Sequence, residues 1–466
     1  MSCVPSASNP ASTGGITPRA ATHPAQYPRI VALALTLLRG GLAALLLATP
    51  CWADSAAQGA AAQVPAPDAS AQASAPASGL SKWFNPANAP FIPIPLIGVD
   101  PDSGTTLGVI PTWLKTDEHR DIRRIIAPDV LYNPNFGVGF HARVYAYPSA
   151  DEQWSVVTGA KQRVERKVVA EYQSGRLRAQ RWSFTGSLIY DRDGTPRFFG
   201  IGNDSPQSAE TNYTSEQELA QAQIGLNLSK AWQLLYTGRM RFLDVLPGTL
   251  ERIDSIEDRF GALVPLGTSH ELLNRLSVVY DTRDDLTVPS RGMKWVVYGG
   301  LASRGGVFND SLYSEAGVEA TAFWPIEKDT TLAAHLAVRY LPTAHRLPFW
   351  ALSSIGGDRS QLGGVQPLRG FGAGRFYDRN SFSTTIELRR TVMSFNAIST
   401  HVELELAPFV DLGRVFARSS TWPVAQLHKV GGLAFRGIAR PFVVGYVDIG
   451  YGSDGVAVFT GINYPF

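Results

Sequence analysis

The segment HVELELAPFVDLG, residues 401–413, decides the fold class. In it Val402, Leu404, Leu406 and Val410 alternate with Glu403, Glu405 and Asp411. A period of two marks an extended strand with two chemically different faces. Three other stretches repeat it. In GVGFHARVYAY (137–147), Val138, Phe140, Ala142 and Val144 alternate with Gly139, His141, Arg143 and Tyr145. In SLYSEAGVEATAFW (311–324), Leu312, Ala316, Val318, Ala320 and Ala322 oppose Tyr313, Glu315, Glu319 and Thr321. In TLAAHLAVRY (331–340), Leu332, Ala334, Leu336, Val338 and Tyr340 oppose His335 and Arg339. In a soluble sandwich the charged set meets water; in a transmembrane barrel the apolar set meets lipid and the charged set meets the lumen. Alternation alone does not separate the two.

Composition narrows the choice. The chain has 466 residues, 44% hydrophobic and 18% charged, with a formal net charge of +2. The near-balance of charge excludes a strong polyanion binder, so no nucleic-acid partner is expected. From Phe91 onward no run reaches the 18 or more apolar residues of a spanning helix. The only cysteines are Cys3 and Cys51, so a zinc site or disulfide framework is excluded from the body of the chain. Residues 30–49 (IVALALTLLRGGLAALLLAT) form an apolar run, broken by Arg39 and two glycines and preceded by Arg29. Cys51-Trp52-Ala53 follows it. This reads as a signal peptide over residues 1–53, with an extended n-region and cleavage after Ala53. Residues 54–90 read as a linker and barrel lead-in: in residues 54–79, 18 of 26 residues are Ala, Ser or Pro. Such a stretch lacks the apolar bulk to offset the entropy of ordering it.

Export, charge-poor composition and alternation together favour an all-β, transmembrane antiparallel β-barrel over residues 91–466. Aromatics near the ends of strand-like runs (Trp182 and Tyr190; Phe323 and Trp324) suit membrane interfaces. The chain ends on Gly461-Ile462-Asn463-Tyr464-Pro465-Phe466, an aromatic terminus of the kind that serves as an outer-membrane targeting signal. A spanning strand needs about 9–11 residues, so about 16 strands fit, and neighbouring even numbers fit nearly as well. Turn signals at Asp100–Gly104, Asp191–Gly194 and Pro289–Gly292 support up-and-down order.

Several segments then resemble one superfamily, the outer-membrane barrel-assembly family of BamA and TamA, also called the bacterial surface antigen family. Asp281-Thr282-Arg283-Asp284, continuing to Arg291-Gly292, is similar to its barrel turn motif. Leu368-Arg369-Gly370-Phe371, with Gly363-Gly364 upstream and Arg375 downstream, resembles its Arg-Gly-aromatic loop tip. Phe409-Val-Asp411-Leu-Gly413 resembles its Phe-x-Asp-x-Gly strand. Phe198–Asn203 and Pro93–Gly98 also look familial. The resemblance implies a 16-stranded barrel with a weak seam between first and last strands. It also implies a loop tip reaching into the lumen, with Arg369 paired to Asp411 and Glu387. The strand pattern agrees, since Glu387 alternates with Ile386 and Leu388, and Asp411 shares parity with Glu403 and Glu405. Gly370 is expected to let the loop turn tightly.

The resemblance implies assistance with insertion or translocation of proteins or lipids through that seam, which is placed between Thr105–Trp113 and Val456–Phe466. The partners expected are outer-membrane lipid, the barrel-assembly machinery for the chain's own insertion, and client outer-membrane or secreted proteins. Residues 54–90 leave no room for the periplasmic POTRA domains of client-handling members, so a barrel-only member is expected. The setting the resemblance implies is the outer membrane of a Gram-negative bacterium. A passive channel or structural barrel is the alternative reading; an outer-membrane enzyme and a soluble β protein are weaker ones. No Gly-x-Ser-x-Gly elbow and no His-Glu-x-x-His occurs, so no catalytic residue, metal or cofactor is expected.

Overall fold

The computed structural model describes residues 92–466 except 101, 119–121, 265, 306–309, 344–346, 359–367, 398–399, 419, 422, 440–442 and 463–465. All described residues belong to the compact unit Val64–Phe466. The signal peptide, the lead-in, Gly363, Gly364 and Tyr464 lie outside them.

The fold is one antiparallel sheet whose successive strands are neighbours in the chain. The strands are β1 (Ile92–Asp100), β2 (Gly104–Thr116), β3 in two pieces (Ile122–Ile126 and Asp129–Asn133), β4 (Gly137–Ser149), β5 (Glu152–Lys161) and β6 (Arg166–Ser174). There follow β7 (Trp182–Asp193), β8 (Thr211–Asn227), β9 (Trp232–Pro247), β10 (Gly267–Asp281), β11 (Gly292–Ser303) and β12 (Ser311–Glu327). The last six are β13 (Thr330–Tyr340), β14 (Asn380–Ala397), β15 (Thr400–Phe416), β16 (His428–Ala439), β17 (Val443–Gly452) and β18 (Gly455–Ile462). Each pairs antiparallel with the next, and β18 returns to β1. The ring of described strands therefore has eighteen positions, an even number close to the sixteen implied by the resemblance. Thr105–Trp113, placed at the seam by sequence, belongs to β2; Ile92–Asp100 lies between it and β18. Pro93 and Pro95 hid this strand, because proline argues against strand in sequence.

Alternation is realised along much of the sheet. On β15, Glu405, Ala407, Phe409 and Asp411 are buried, whereas Val410 is 50% exposed. Val138, Phe140, Leu276, Val297 and Ile386 are likewise exposed apolar residues facing away from the interior. The interior holds Arg239, Glu271, Glu315, Arg339 and other polar groups. An apolar outside with a charged inside is the pattern of a barrel in lipid, the inverse of a soluble sandwich.

The two ends of the sheet differ. Connections 150–151, 228–231, 328–329 and 398–399 at one end are short. At the other end, 194–210, 248–266, 341–379 and 417–427 are long. Trp113, Trp182, Trp232, Trp295 and Trp324 are all exposed and all sit near the short-turn end, forming an aromatic girdle. Phe323 departs from the expectation. It alternates with Trp324, so it points inward, buried beneath the Arg389 guanidinium at 5.4 Å. At the long-loop end, Phe198, Phe349, Trp350 and Tyr377 from the loops pack on Tyr213, Leu243, Leu273 and Tyr313 of the walls. Helix α1 (Ile256–Phe260), with a Ser255/Asp258 capping box, adds Ile256 to this cluster. Burying each large apolar side chain contributes about 1.5–3 kcal/mol, enough to hold the loops on the wall.

Candidate functional site: a loop clasp and a half-paired edge

The connection 341–379 carries the site. Its short strands Ser353–Ile355 and Phe376–Asp378 pair with each other, and Leu368 bridges Gly357. This closed stem presents the tip, Arg369-Gly370-Phe371, to the inner faces of β14–β17. Arg369 is fully buried. Its Nε and Nη2 donate to the two Asp411 oxygens at 3.0 and 2.8 Å, and its backbone N–H donates to Asp411 Oδ2 at 2.9 Å. Nη1 donates to Glu387 Oε1 at 2.7 Å and Asp448 Oδ2 at 2.9 Å. The guanidinium also stacks over the Phe409 ring, 3.5 Å from its centroid. A planar fork of donors suits this geometry; a lysine could not make the bidentate pair and reach two further carboxylates.

The clasp is larger than the sequence reading. Glu387 also accepts from Arg389 Nε and Arg436 Nη2, both at 2.8 Å, and Arg436 Nη1 donates to Glu405 at 2.9 Å. The Thr385 hydroxyl donates to Asp411 at 2.9 Å. Three arginines thus share four carboxylates, and all seven side chains are buried. Burial of ions is favourable only when each is paired and hydrogen-bonded, which this network achieves through contacts from four strands and one loop. Asp448, Arg436, Arg389 and Glu405 had no motif to announce them. Asp448 did carry one signal, as an acid of lumenal parity in the otherwise apolar segment VVGYVDIGYG.

Glycines make the approach possible. Gly370 lies in the tight turn expected of it, where the Phe371 N–H donates to the Leu368 carbonyl at 3.2 Å, but without a positive φ. Its role is steric: a Cβ there would come within 2.6 Å of the Gly452 backbone nitrogen. A Cβ on Gly450 would overlap the Arg369 carbonyl oxygen, and one on Gly432 would overlap the Phe409 ring. Gly413 leaves room for Ile355 and Leu368. Phe371 is buried against Phe376, with centroids 5.3 Å apart, and Phe376 stacks on His428 at 3.8 Å.

Further straps hold the loop. Arg375 Nε donates to Asp454 at 2.5 Å, and its Nη2 donates to the Ser205 carbonyl at 3.0 Å. Asp102, in the β1–β2 turn, accepts from the Ala373 N–H at 2.7 Å. Asn203 of the Phe198–Asn203 segment accepts from Val415 N–H and donates to Gln426 O. The loop is thereby tied to the β1–β2 and β17–β18 turns, on either side of the edge between β18 and β1.

The turn motif lies at the opposite, short-turn end, between β10 and β11, and does not join the clasp. Asp281 accepts from Arg283 Nε at 3.0 Å and Nη2 at 2.9 Å. Asp284 accepts from the backbone N–H groups of Ser290 and Arg291, both at 3.0 Å, and from the Ser290 hydroxyl at 2.6 Å. Gly292 has φ +96°, and a Cβ there would overlap the Thr282 carbonyl oxygen. The motif staples one turn.

At the C-terminus, Gly461 faces the Tyr446 ring of β17, with room for no Cβ. Phe466 turns inward. Its ring lies 4.6 Å from the Arg389 guanidinium and 5.2 Å from the His335 ring. It borders a cavity of about 680 Å³ with Gln153, Gln173, Gln223 and Lys294.

The last feature is the β18–β1 edge. β1 shares nine register pairs with β2, and β18 shares eight with β17. Between β1 and β18 a single pair occurs among the described residues, Val99↔Val458.

Among curated proteins, none matches the chain in sequence. Among solved structures it is similar to BamA from Haemophilus ducreyi lacking POTRA domains 1–3, at 12% identity and a TM-score of 0.48. That match covers 80% of this chain and 75% of the BamA chain. It is also similar to CdiB from Escherichia coli, at 12% identity and a TM-score of 0.42, with 78% of this chain covered. The chain spans 61% of the length of that CdiB chain. The family model of the Omp85 superfamily domain matches residues 153–433, from the start of β5 into β16, a span that includes Arg369, Glu387, Arg389, Glu405 and Asp411 of the clasp. The chain belongs to the Omp85 superfamily.

Proposed function

We propose that the protein is an integral outer-membrane barrel that assists the insertion or translocation of proteins at that membrane, working through the edge between β1 and β18. The observation that carries this reading is the single register pair between the described residues of these strands, against eight and nine on their other sides. An unpaired strand edge in lipid is costly, so it accepts a strand from another chain when one is offered. Backbone bonding of this kind is β-augmentation, which asks little of the client's sequence. The clasp serves as the fixed side of the device. Arg369 ties the loop to β14, β15 and β17, and Arg375 and Asp102 tie it to the turns at the long-loop end of the edge, so that end is held while the rest of the edge can part. Short turns and the tryptophan girdle face the periplasm in this orientation, and the long loops face outward. Its surroundings are then outer-membrane lipid, the machinery that inserts the chain itself, and client barrel or secreted proteins. The aromatic C-terminus is proposed to direct that insertion.

The test uses the purified protein in liposomes, with a small barrel presented unfolded. The protein is expected to speed membrane folding of that client, and closing the edge with a Val99→Cys/Val458→Cys crosslink is expected to abolish the gain. Equal acceleration with the edge crosslinked would refute the reading. So would a large, steady ohmic conductance without any effect on folding, which belongs to a passive channel.

A further inference from the structure

We infer that Pro93 and Pro95 keep the β1 edge half-bonded, so that a strand seated on it, whether β18 or a client's, pairs firmly only near Val99 and is readily released. This deepens the edge reading above and rests on it.

In an antiparallel ladder, the N–H and C=O of one residue point to one neighbouring strand and those of the next residue point to the other. The β1–β2 register sets Pro93 opposite Pro111. Two prolines cannot exchange N–H bonds. Ile92, Ile94, Leu96, Gly98 and Asp100 therefore bond to β2, and Pro93, Pro95, Ile97 and Val99 turn their backbone groups towards β18. The far side of β2 agrees: the Thr105 carbonyl, on the same parity as Pro111, accepts from Asn133 Nδ2 of β3.

β18 gives an independent check. Gly452 and Gly455 pair across a two-residue turn, whose closing residues bond each other. Gly455, Ala457, Phe459 and Gly461 thus bond to β17, and Val456, Val458, Thr460 and Ile462 present their groups to β1. Val99 and Val458 are then both edge-facing, and they are the pair observed. Continuing the ladder would set Ile97 against Thr460 and Pro95 against Ile462. Two of the four edge-facing positions on β1 lack a donor, which leaves Ile97 as the one donor-bearing position beyond Val99, and the pairing observed ends at Val99. Proline on an exposed edge is a common device against unwanted strand pairing. Here it sits on an edge inside the ring, where a firm ladder would trap either the closed barrel or a bound client.

The experiment uses the full chain with Cys3 and Cys51 replaced by Ser, in native membranes. Yield of a short bis-thiol crosslink between Ile97→Cys and Thr460→Cys is measured with and without Pro93→Val/Pro95→Thr. The Val99→Cys/Val458→Cys pair is the reference. Each restored bond favours the zipped edge by about fivefold, and Pro95 faces Ile462, the last residue of β18, so the double variant shifts the zipped-to-open ratio by at least about fivefold. Crosslinking at 97/460 is expected to rise towards the reference yield, and photo-adducts with client barrels are expected to fall. Pro95→Ala alone restores one donor, so it tests the same point, at about fivefold, if the double variant folds poorly. Unchanged 97/460 yield in either variant would overturn the inference. A raised yield with undiminished client adducts would uphold the proline device and instead overturn the edge as the route for clients.

Discussion

Replacing Arg369 by Met keeps the length of the side chain and removes the cation. Glu387 would keep Arg389 and Arg436 as partners. Asp411 would keep the Thr385 hydroxyl, and Asp448 would keep only Arg436 at 4.0 Å. The loss therefore falls on two fully buried carboxylates. Removing one partner of a buried ion pair costs about 3–5 kcal/mol, which converts to a loss of docked loop by more than about a hundredfold. Ser354, 3% exposed in the loop stem, provides the probe. With Ser354→Cys in place, labelling by a membrane-impermeant thiol reagent reports undocking, and Arg369→Met is expected to raise its rate about a hundredfold. Adding Asp411→Asn should recover part of this, because residues of one network are not additive. Labelling within about threefold of the parent rate would refute the clasp, since a dispensable surface arginine costs well under 1 kcal/mol.

Other outcomes follow from the same geometry. Gly450→Ala drives a methyl group into the Arg369 carbonyl, so Ser354→Cys labelling should rise at least about tenfold with every clasp side chain retained, within the roughly 1–3 kcal/mol of overpacking. Asp448→Asn removes the fourth acid; heat-modifiable gel mobility should show loss of the folded barrel at a lower temperature. Burial pushes the Asp284 carboxyl up, but the Ser290 hydroxyl and the N–H groups of Arg291 and Ser290 outweigh it and hold the carboxyl below its ordinary range. Its support for the turn is thus complete above the unfolded-state value of about 4 and is lost as pH falls through the lower folded value. Hydrogen exchange at Ser290 and Arg291 should show no added opening of the turn until the pH is well below 4, whereas Asp284→Ala opens it at neutral pH.

What sequence could show depended on how local the cause was. Strand parity is local, so the inward course of Glu387 and Asp411 was legible from their immediate neighbours. Arg369 was legible because a loop motif announced it. Asp448 meets Arg369 across 79 residues and Arg436 meets Glu387 across 49, and no local spacing encodes either meeting. By local rules the glycines at 432 and 450 are weak strand formers, and their purpose appears only when a loop is laid against them. Ile92–Asp100 was missed for the opposite reason: its prolines obey local rules against strands, and they are tolerated here because they fall on an edge. Trp324 faces outward as expected, and Phe323 could not do the same, because adjacent strand residues face opposite sides.

The central claim is that client polypeptide meets this protein at the β1–β18 edge. In-cell photo-crosslinking tests it most directly, with the photoreactive residue at Val458 or Thr460 on β18 and, as a control one strand inside the edge, at Leu107 on β2. Adducts with other outer-membrane barrels from 458 and 460, and few from 107, are the result predicted. Adducts confined to β1 or to lipid at all three positions would contradict the claim.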